Sequence, residues 1–218
     1  MGKFLEAWNN YLLQGIIDTS YMVGLSTLFA VIIGFILAII LIVTDKNGLR
    51  PNKVIYRILD FIINVLRSFP FIILILALLP VTRFIVGKSI GNTAAIVPLT
   101  IGTAPFVARV IESSLKEVDK GIIEAAKSFG ASDIQILFQV MIKESIPSII
   151  RGITLVVISV IGYSAMAGAI GAKGLGYVAI SIGYQRFDDQ LILYTVIILV
   201  ILVQLIQIIG DTLYKKLK

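Results

Sequence analysis

The sequence predicts an all-α polytopic membrane protein that crosses the bilayer five times, with its N-terminus outside and its C-terminus in the cytoplasm. Of its 218 residues, 58% are hydrophobic and 15% charged, and the mean hydropathy is +0.99. A soluble domain of this size does not carry so much apolar side chain. Five apolar stretches are long enough to cross a bilayer core, which takes about 20 helical residues. Basic residues are concentrated on one side of these stretches, which sets the orientation.

The five predicted spans are separated by short polar segments, apart from one loop at about 112–148. No linker, low-complexity tract or internal repeat divides the chain, so we expect a single transmembrane domain over 1–218. Inverted repeats are common in secondary transporters, and their absence favours another class. The spans cover about 19–43, 55–79, 94–111, 149–170 and 191–209.

Proline and arginine interrupt two of these spans. Pro70 lies in the second span, and Pro98 and Pro105 lie in the third. Each proline either kinks its helix for packing, which we favour, or frees carbonyls that line a cavity. Arg67 lies either deep in the second span, facing protein or water, or at the cytoplasmic boundary with its side chain reaching the interface. The short apolar run after Pro70 favours the boundary.

The distribution of Lys and Arg predicts the orientation. With the N-terminus outside, the cytoplasmic segments carry thirteen basic residues and the outer segments five, while Arg67 lies within a span. Cytoplasmic loops carry this excess in polytopic membrane proteins. The 112–148 loop is therefore expected in the cytoplasm. The same asymmetry accounts for the net charge of +6, so no nucleic-acid partner is expected.

Several kinds of chemistry are missing from the sequence. It has no Cys and no His, which excludes disulfides, thiolate or imidazole metal sites and a His proton relay. It has no phosphate-binding G-x-x-x-x-G-K-[ST] loop and no nucleophile–base constellation, so we expect neither ATP hydrolysis nor enzyme activity. No span carries a clear central carboxylate, and Asp60 is interpreted as an interfacial residue. Residues 1–10 lack the pattern of a cleavable signal peptide.

The 112–148 loop is predicted to contain two helical segments. The first covers about 121–129, with Gly130 suited to the left-handed position that ends a helix. A second helix starts at Ser132, which forms a capping box with Gln135. The first helix has an apolar side of Ile122, Ile123, Ala126 and Phe129. The second has an apolar stripe, expected to pack against the bundle, of Ile134, Leu137, Phe138, Met141 and Ile142.

The segment Glu124-Ala125-Ala126-Lys127-Ser128-Phe129-Gly130 carries the most informative pattern of the chain. Its E-A-A-x-x-x-G spacing resembles the signature of inner-membrane permease subunits of ABC importers. That resemblance implies a coupling helix that docks into a groove of a separate ATPase subunit. Ala125 and Ala126 would allow close approach, Glu124 would pair with a partner arginine, and Gly130 would end the helix. The alternative is an ordinary loop helix.

The longer form of that signature continues with x9-I-x-L-P, and this chain departs from it at the last position. Val140 and Ile142 keep the apolar character, whereas Lys143 replaces the proline. We therefore expect Pro147 to break the helix instead.

Further blocks resemble one subfamily, the permeases of methionine importers. The resemblance implies a homodimer of this permease, a homodimeric ATPase that binds ATP and Mg, and an extracytoplasmic methionine-binding lipoprotein. It also implies the bacterial cytoplasmic membrane as location and methionine as substrate, with the D-isomer left open beside the L-isomer. No cofactor is expected in this chain. The blocks are 67–71 (RSFPF), 96–102 (IVPLTIG), 162–171 (GYSAMAGAIG), 183–187 (GYQRF) and Gly210-Asp211.

The block at 162–171 contains the candidates for the pathway. Its small residues allow close packing of backbones, so two copies of the chain could meet there across a dimer axis. Met166 is the candidate gate, with Ser164 and Gly168 beside it, because a flexible thioether suits a gate around an apolar ligand. The alternative for Met166 is a position in lipid or in the core. The small residues are Gly162, Ala165, Gly168, Ala169, Gly171 and Ala172.

Three other functions remain open at this point. The chain could be an ABC permease for another amino acid or small solute, which a different binding protein would reveal. It could be an ion-coupled secondary carrier, which would take up solute without an ATPase. It could also be a membrane scaffold without transport activity, in which case the kinked, glycine-rich spans would have no use.

Overall fold

Helices make up the fold of the part of the chain that the structure, a computed structural model, describes, residues 2–218. The first, α1, begins as Gly2–Ala7, passes through a π-helical turn at Trp8–Leu12 and continues as Leu13–Thr44. Helix α5, Asn92–Lys116, lies along it. A Cβ on Gly34 would lie 2.6 Å from the Cβ of Val107, so glycine permits this close approach.

The stretch predicted as the second span forms two short helices instead of one, and a third short helix follows it. They are α2, Lys53–Ser68, α3, Phe71–Ala77, and α4, Leu79–Val86. The axes of α2 and α3 differ by 105°. Phe69 is extended, as expected for a residue before proline, and Pro70 begins the next helix.

Four helices of the described residues are long and apolar enough to cross a membrane, or five if α2 and α3 together make one bent span. Two of the four are α1 and α5. The other two are α7, Asp133–Ala169, and α9, Asp189–Leu217. The number of spans is therefore compatible with the predicted five. The structure differs from the prediction in the second span, which is bent between α2 and α3.

The prolines of α5 and α7 lie inside continuous helices. Helix α5 runs through Pro98 and Pro105, and the break expected at Pro147 is absent from α7. Just before Pro147, the Ser145 hydroxyl donates to the carbonyl of Ser114 at 3.0 Å, which holds α7 against α5. This packing keeps the helix in place although proline removes one backbone hydrogen bond.

Two short elements complete the chain. Helix α6 is Lys120–Ser128, in the loop between α5 and α7. Helix α8 is composed of an α-turn at Leu175–Tyr177, a π-turn at Val178–Gly183 and a 3₁₀-turn at Tyr184–Arg186. Helix α8 packs against α1, α7 and α9. No helical periodicity predicts it, because Gly174, Gly176 and Gly183 interrupt the apolar residues of this segment.

The core lies between α1, α3, α5 and α7. The rings of Phe71 and Tyr163 stack with their centroids 4.4 Å apart, joining α3 to α7. Leu99 of α5 and Val156 of α7 are fully buried. Helix α9 lies at the periphery and exposes most of its aliphatic side chains, as expected of a helix in contact with lipid.

Candidate functional site

Helix α6 has defined caps at both ends. At its start, the side chain of Asp119 accepts a hydrogen bond from the Gly121 N–H at 2.6 Å. At its end, the Gly130 N–H donates to the Lys127 carbonyl at 2.9 Å, and the Ala131 N–H donates to the Ala126 carbonyl at 3.1 Å. With φ of +78° at Gly130, these bonds form a Schellman motif. The left-handed glycine predicted from the sequence is therefore confirmed.

One side of α6 packs against the bundle and the other is open. Ile123 and Ala126 are half-buried against the core. Glu124, Ala125 and Gly130 are exposed, so three of the four candidate docking residues are accessible, whereas Ala126 is half-buried. Phe129, predicted on the packed side, is 92% exposed. The sequence pattern missed this projecting ring because Phe129 is already outside the last helical turn.

The segment after α6 begins as predicted and then changes its helical phase. The Ser132–Gln135 capping box is present. Leu137 and Met141 are buried, but Ile134 and Phe138 of the predicted stripe are exposed. Ile136, outside that stripe, is buried. A π-helical turn over Ile136–Met141 brings residues five apart onto one side, which an α-helical stripe does not anticipate.

Charged side chains tie α2 to α5 near α6. The guanidinium of Arg109 pairs with the carboxylate of Asp60, and it also pairs with Glu112 at 2.7 Å. Asn64 accepts a further hydrogen bond from Arg109 at 3.0 Å. Asp60 is therefore part of an ion-pair network, which the interpretation as an interfacial residue did not foresee.

The same network continues to the end of α1. Lys116 lies 2.7 Å from Glu112 and 3.1 Å from Asp45, and the Tyr56 hydroxyl lies 3.2 Å from Glu112. Burial tends to raise the pKa of Asp45, but hydrogen bonds from the Asn47 backbone and from Lys116 outweigh it, so this pKa is lowered. The network holds the loop before α2 and the end of α5 in one arrangement beside α6.

Arg67 lies in the last turn of α2, directly before the bend, and its side chain is exposed. The two alternatives for its depth differ in where the bilayer core begins, near Ile55 or near Phe71. Its depth in the bilayer stays a prediction, favoured at the boundary.

The three gate candidates are divided between two sides of α7, with Ser164 and Gly168 on the buried side and Met166 on the open side. Met166 is 44% exposed. Ser164 is buried, and its hydroxyl donates to the Ile161 carbonyl at 2.7 Å. Gly168 is buried against the backbone of Gly176 in α8. The structure therefore leaves only Met166 of the three on an open surface.

The small residues of the 162–171 block divide in the same way. Ala165 and Gly168 pack within the chain, where their lack of bulk lets α8 approach α7. Gly171, with φ of +99°, belongs to the turn after α7 rather than to the helix. Gly162 has open space where a Cβ would be, so it lies on the outward side with Met166.

Metal binding has no visible basis in this site. Among residues 2–218, no group of three acidic side chains is placed to hold a metal ion.

The chain is similar to permeases of known transport systems. Over 95% of its length it is 46% identical to the probable D-methionine transport system permease protein MetI of Vibrio cholerae, of which 92% is covered. Over 79% of its length it is 47% identical to the methionine import system permease protein MetP of Bacillus subtilis, of which 78% is covered.

Solved structures show the same fold. A chain of the MetNI methionine ABC transporter, in inward-facing conformations, superposes with a TM-score of 0.93 at 41% identity, covering 95% of this chain and 96% of that one. A chain from an amino acid ABC transporter structure gives a TM-score of 0.80 at 22% identity, covering 99% and 96%, which supports the fold alone.

The family model described as the inner membrane component of binding-protein-dependent transport systems matches residues 30–218. That range includes α6 with its E-A-A-x-x-x-G pattern, the charge network and Met166. The chain therefore belongs to the family of inner membrane components of binding-protein-dependent transport systems.

Proposed function

We propose that this chain is the permease subunit of an ATP-driven importer that carries methionine into the cytoplasm. The observation that carries the proposal is the open side of α6, which lies in the family's signature segment and is capped at both ends. The methionine permeases of Vibrio cholerae and Bacillus subtilis, at 46% and 47% identity, support the substrate.

The proposed orientation has the N-terminus outside and α6 in the cytoplasm. Support comes from the bundle end that holds α6, where the starts of α2 and α7 and the ends of α1, α5 and α9 also lie. Thirteen of the nineteen Lys and Arg residues belong to that end or to its adjoining segments. An ATPase acting from the cytoplasm would meet α6 on this side.

The proposed coupling uses α6 as a rigid lever. Glu124 would pair with an arginine of the ATPase, and Ala125 would allow close contact with it. Because Ile123 and Ala126 fix the other side of α6 to the core, a movement of α6 would pull on α5 and α7. The outer end of the bundle would then open to a docked binding protein, and the inner end would release the substrate after ATP hydrolysis.

The proposed assembly contains two copies of this permease, two ATPase subunits that bind ATP and Mg, and an extracytoplasmic methionine-binding lipoprotein. Met166 is the proposed gate, since it lies on the open side of α7 together with Gly162. Gly168 would act indirectly by holding the end of α7 that carries Met166 against α8, and Ser164 through its hydrogen bond to Ile161 within α7.

The test is uptake of labelled methionine by cells without their own importer that express this chain with its ATPase and binding protein. We expect uptake to require all three components and to be competed by unlabelled methionine. Uptake by this chain alone would contradict the proposal and indicate a secondary carrier. An assembled complex that transports another amino acid would keep the architecture and replace the substrate.

A further inference from the structure

A polar cleft opens at the bundle end that holds α6. It lies between the last turns of α5, the first turns of α7 and the end of α9, and its volume is about 670 Å³. The end of the cleft toward the middle of α5 and α7 is closed, because Gly152 of α7 packs directly against Val110 of α5. The cleft is therefore a pocket with an apolar end and a polar mouth, of the size common for small-ligand sites.

Charges of both signs line this cleft. Glu117 and Glu144 bring negative charge. The positive side chains are those of Lys143, Arg151 and Lys218. The Ser148 hydroxyl donates to Glu117 at 2.9 Å, which orients that carboxylate.

Arg151 is fixed by an aromatic ring on the opposite wall. Its guanidinium lies 5.7 Å from the centre of the Tyr214 ring, a cation–π distance. Within residues 2–218, no ion pair of 4 Å or less joins Arg151 to a carboxylate. The charge of Arg151 is therefore held in position and is available to a ligand.

The outward side of α7 continues from this cleft toward Met166. The residues on this side of α7 follow one another at intervals of three, four or seven positions, so they form one stripe along the helix. Unlike the outward side of α9, where Leu193, Val196, Ile197 and Val200 are exposed, the stripe is made mostly of polar and small side chains. Its members are Glu144, Ser148, Arg151, Leu155, Gly162 and Met166.

The end of this stripe with Glu144, Ser148 and Arg151 is suited to water rather than to lipid, because ionisable side chains of a membrane helix face protein or water. Arg151 and Met166 are fifteen residues apart, which corresponds to about 22 Å along a helix. The cleft therefore lies at the far end of the open side of α7 from the proposed gate.

We propose that the cleft binds the substrate as a zwitterionic amino acid before its release to the cytoplasm. Arg151 receives the α-carboxylate, Glu117 and Glu144 receive the α-ammonium group, and Leu155 contacts the side chain. This inference rests on the proposed import function. A phosphate of an anionic lipid would suit the three cations but would leave the two carboxylates without a partner, whereas an amino acid matches both charges.

The experiment uses the complete complex of permease, ATPase and binding protein in proteoliposomes. Arg151→Gln removes the charge, and Arg151→Lys restores it. Arg57→Gln is the control, since Arg57 is exposed on α2 and lines no part of the cleft. Each variant is measured for methionine uptake and for stimulation of ATP hydrolysis by loaded binding protein. Photo-methionine, with a diazirine in its side chain, is cross-linked in parallel.

We expect Arg151→Gln to lower uptake by about tenfold or more, since a charge-assisted hydrogen bond is lost. ATP hydrolysis should still respond to the loaded binding protein, which shows that the complex is folded and coupled. Arg151→Lys should recover part of the uptake, and Arg57→Gln should match the wild type. Photo-methionine should label Leu155 or Tyr214 in the wild type and lose this labelling in Arg151→Gln.

Three results would overturn the inference. The first is that Arg151→Gln takes up methionine as fast as the wild type, and the second is that photo-methionine cross-links only outside the cleft. The third is that the defect of Arg151→Gln disappears in vesicles without anionic lipid, which would make the cleft a lipid site. A wild-type complex that does not transport methionine refutes the substrate instead. Arg151-dependent uptake of another amino acid would then still support the cleft, and transport of a solute without amino and carboxyl groups would refute it.

Discussion

Glu112, 3% exposed, lies 2.7 Å from the guanidinium of Arg109, and this pair is the centre of the charge network between α2 and α5. Lys116 binds the other oxygen of the same carboxylate at 2.7 Å. Loss of this buried carboxylate is destabilising, because both of its charge-assisted hydrogen bonds are lost at once.

We therefore expect Glu112→Ala to destabilise the permease by about 1.5–3 kcal/mol, since Arg109 and Lys116 both lose a charge-assisted hydrogen bond while Arg109 keeps its pairing with Asp60. The measurement is the midpoint of thermal unfolding of the purified complex in detergent. Arg50→Ala is the matched control, because the Arg50–Asp133 pair, at 2.7 Å, has side chains 76% and 36% exposed. Exposed pairs contribute about 1 kcal/mol at most. Equal effects of the two substitutions would contradict the role given to Glu112.

Reversal of charge on the open side of α6 tests the coupling assignment. Glu124→Lys should abolish uptake while the permease remains inserted, because repulsion replaces attraction at the proposed ATPase contact. Uptake and the amount of permease in the membrane are measured together. Lys215→Glu, an exposed charge reversal at the end of α9, should leave uptake unchanged. Normal transport by Glu124→Lys would show that α6 does not couple through this side chain.

The end of α6 offers a test of its geometry. Gly130 has φ of +78°, which costs a residue with a branched side chain about 1–2 kcal/mol. Gly130→Val should therefore displace the Schellman turn and lower uptake. Gly130→Asn should keep most of it, since asparagine tolerates the left-handed region. The comparison is made by uptake at equal expression, and equal loss in both variants would indicate that the glycine is needed for contact and not for its backbone conformation.

Local features of this loop could be predicted because neighbouring residues determine them. The left-handed Gly130 and the Ser132–Gln135 capping box need only residues close in sequence. The phase of the following helix could not be predicted, because the π-turn that buries Ile136 arises from packing against the bundle. The pairing of Asp60 with Arg109 spans 49 residues, and no local pattern indicates it.

The same limit applies to the membrane helices. Composition was sufficient to predict four of the long helices, whereas the 105° bend between α2 and α3 depends on how α3 packs against α5 and α7. For the gate candidates, no sequence pattern separates the buried side of α7 from its open side. Met166 and Gly168 are only two residues apart, yet they point to different environments.

Two glycines of α7 should respond differently to the same substitution. A Cβ on Gly168 would overlap the backbone of α8, whereas nothing lies within 4 Å of one on Gly162. Gly168→Ala should destabilise the protein by about 1–3 kcal/mol through overpacking. Gly162→Ala should leave its stability unchanged or slightly higher, since alanine favours a helix. Thermal unfolding of both variants decides this, and a stable Gly168→Ala would mean that α8 can move away from α7.

The environment of Met166 can be determined directly because the sequence contains no cysteine. If Met166 lines a water-filled pathway, Met166→Cys should react with a membrane-impermeant maleimide that enters from the aqueous side. Ile201→Cys is the control, since Ile201 is 52% exposed on the aliphatic side of α9 and should be shielded by lipid. The rate at which the maleimide modifies this thiol should also change when ATP and loaded binding protein are added, because a gate changes its exposure during the transport cycle. A Met166→Cys thiol as unreactive as that of Ile201→Cys in every state would place Met166 in lipid and leave the gate to another residue.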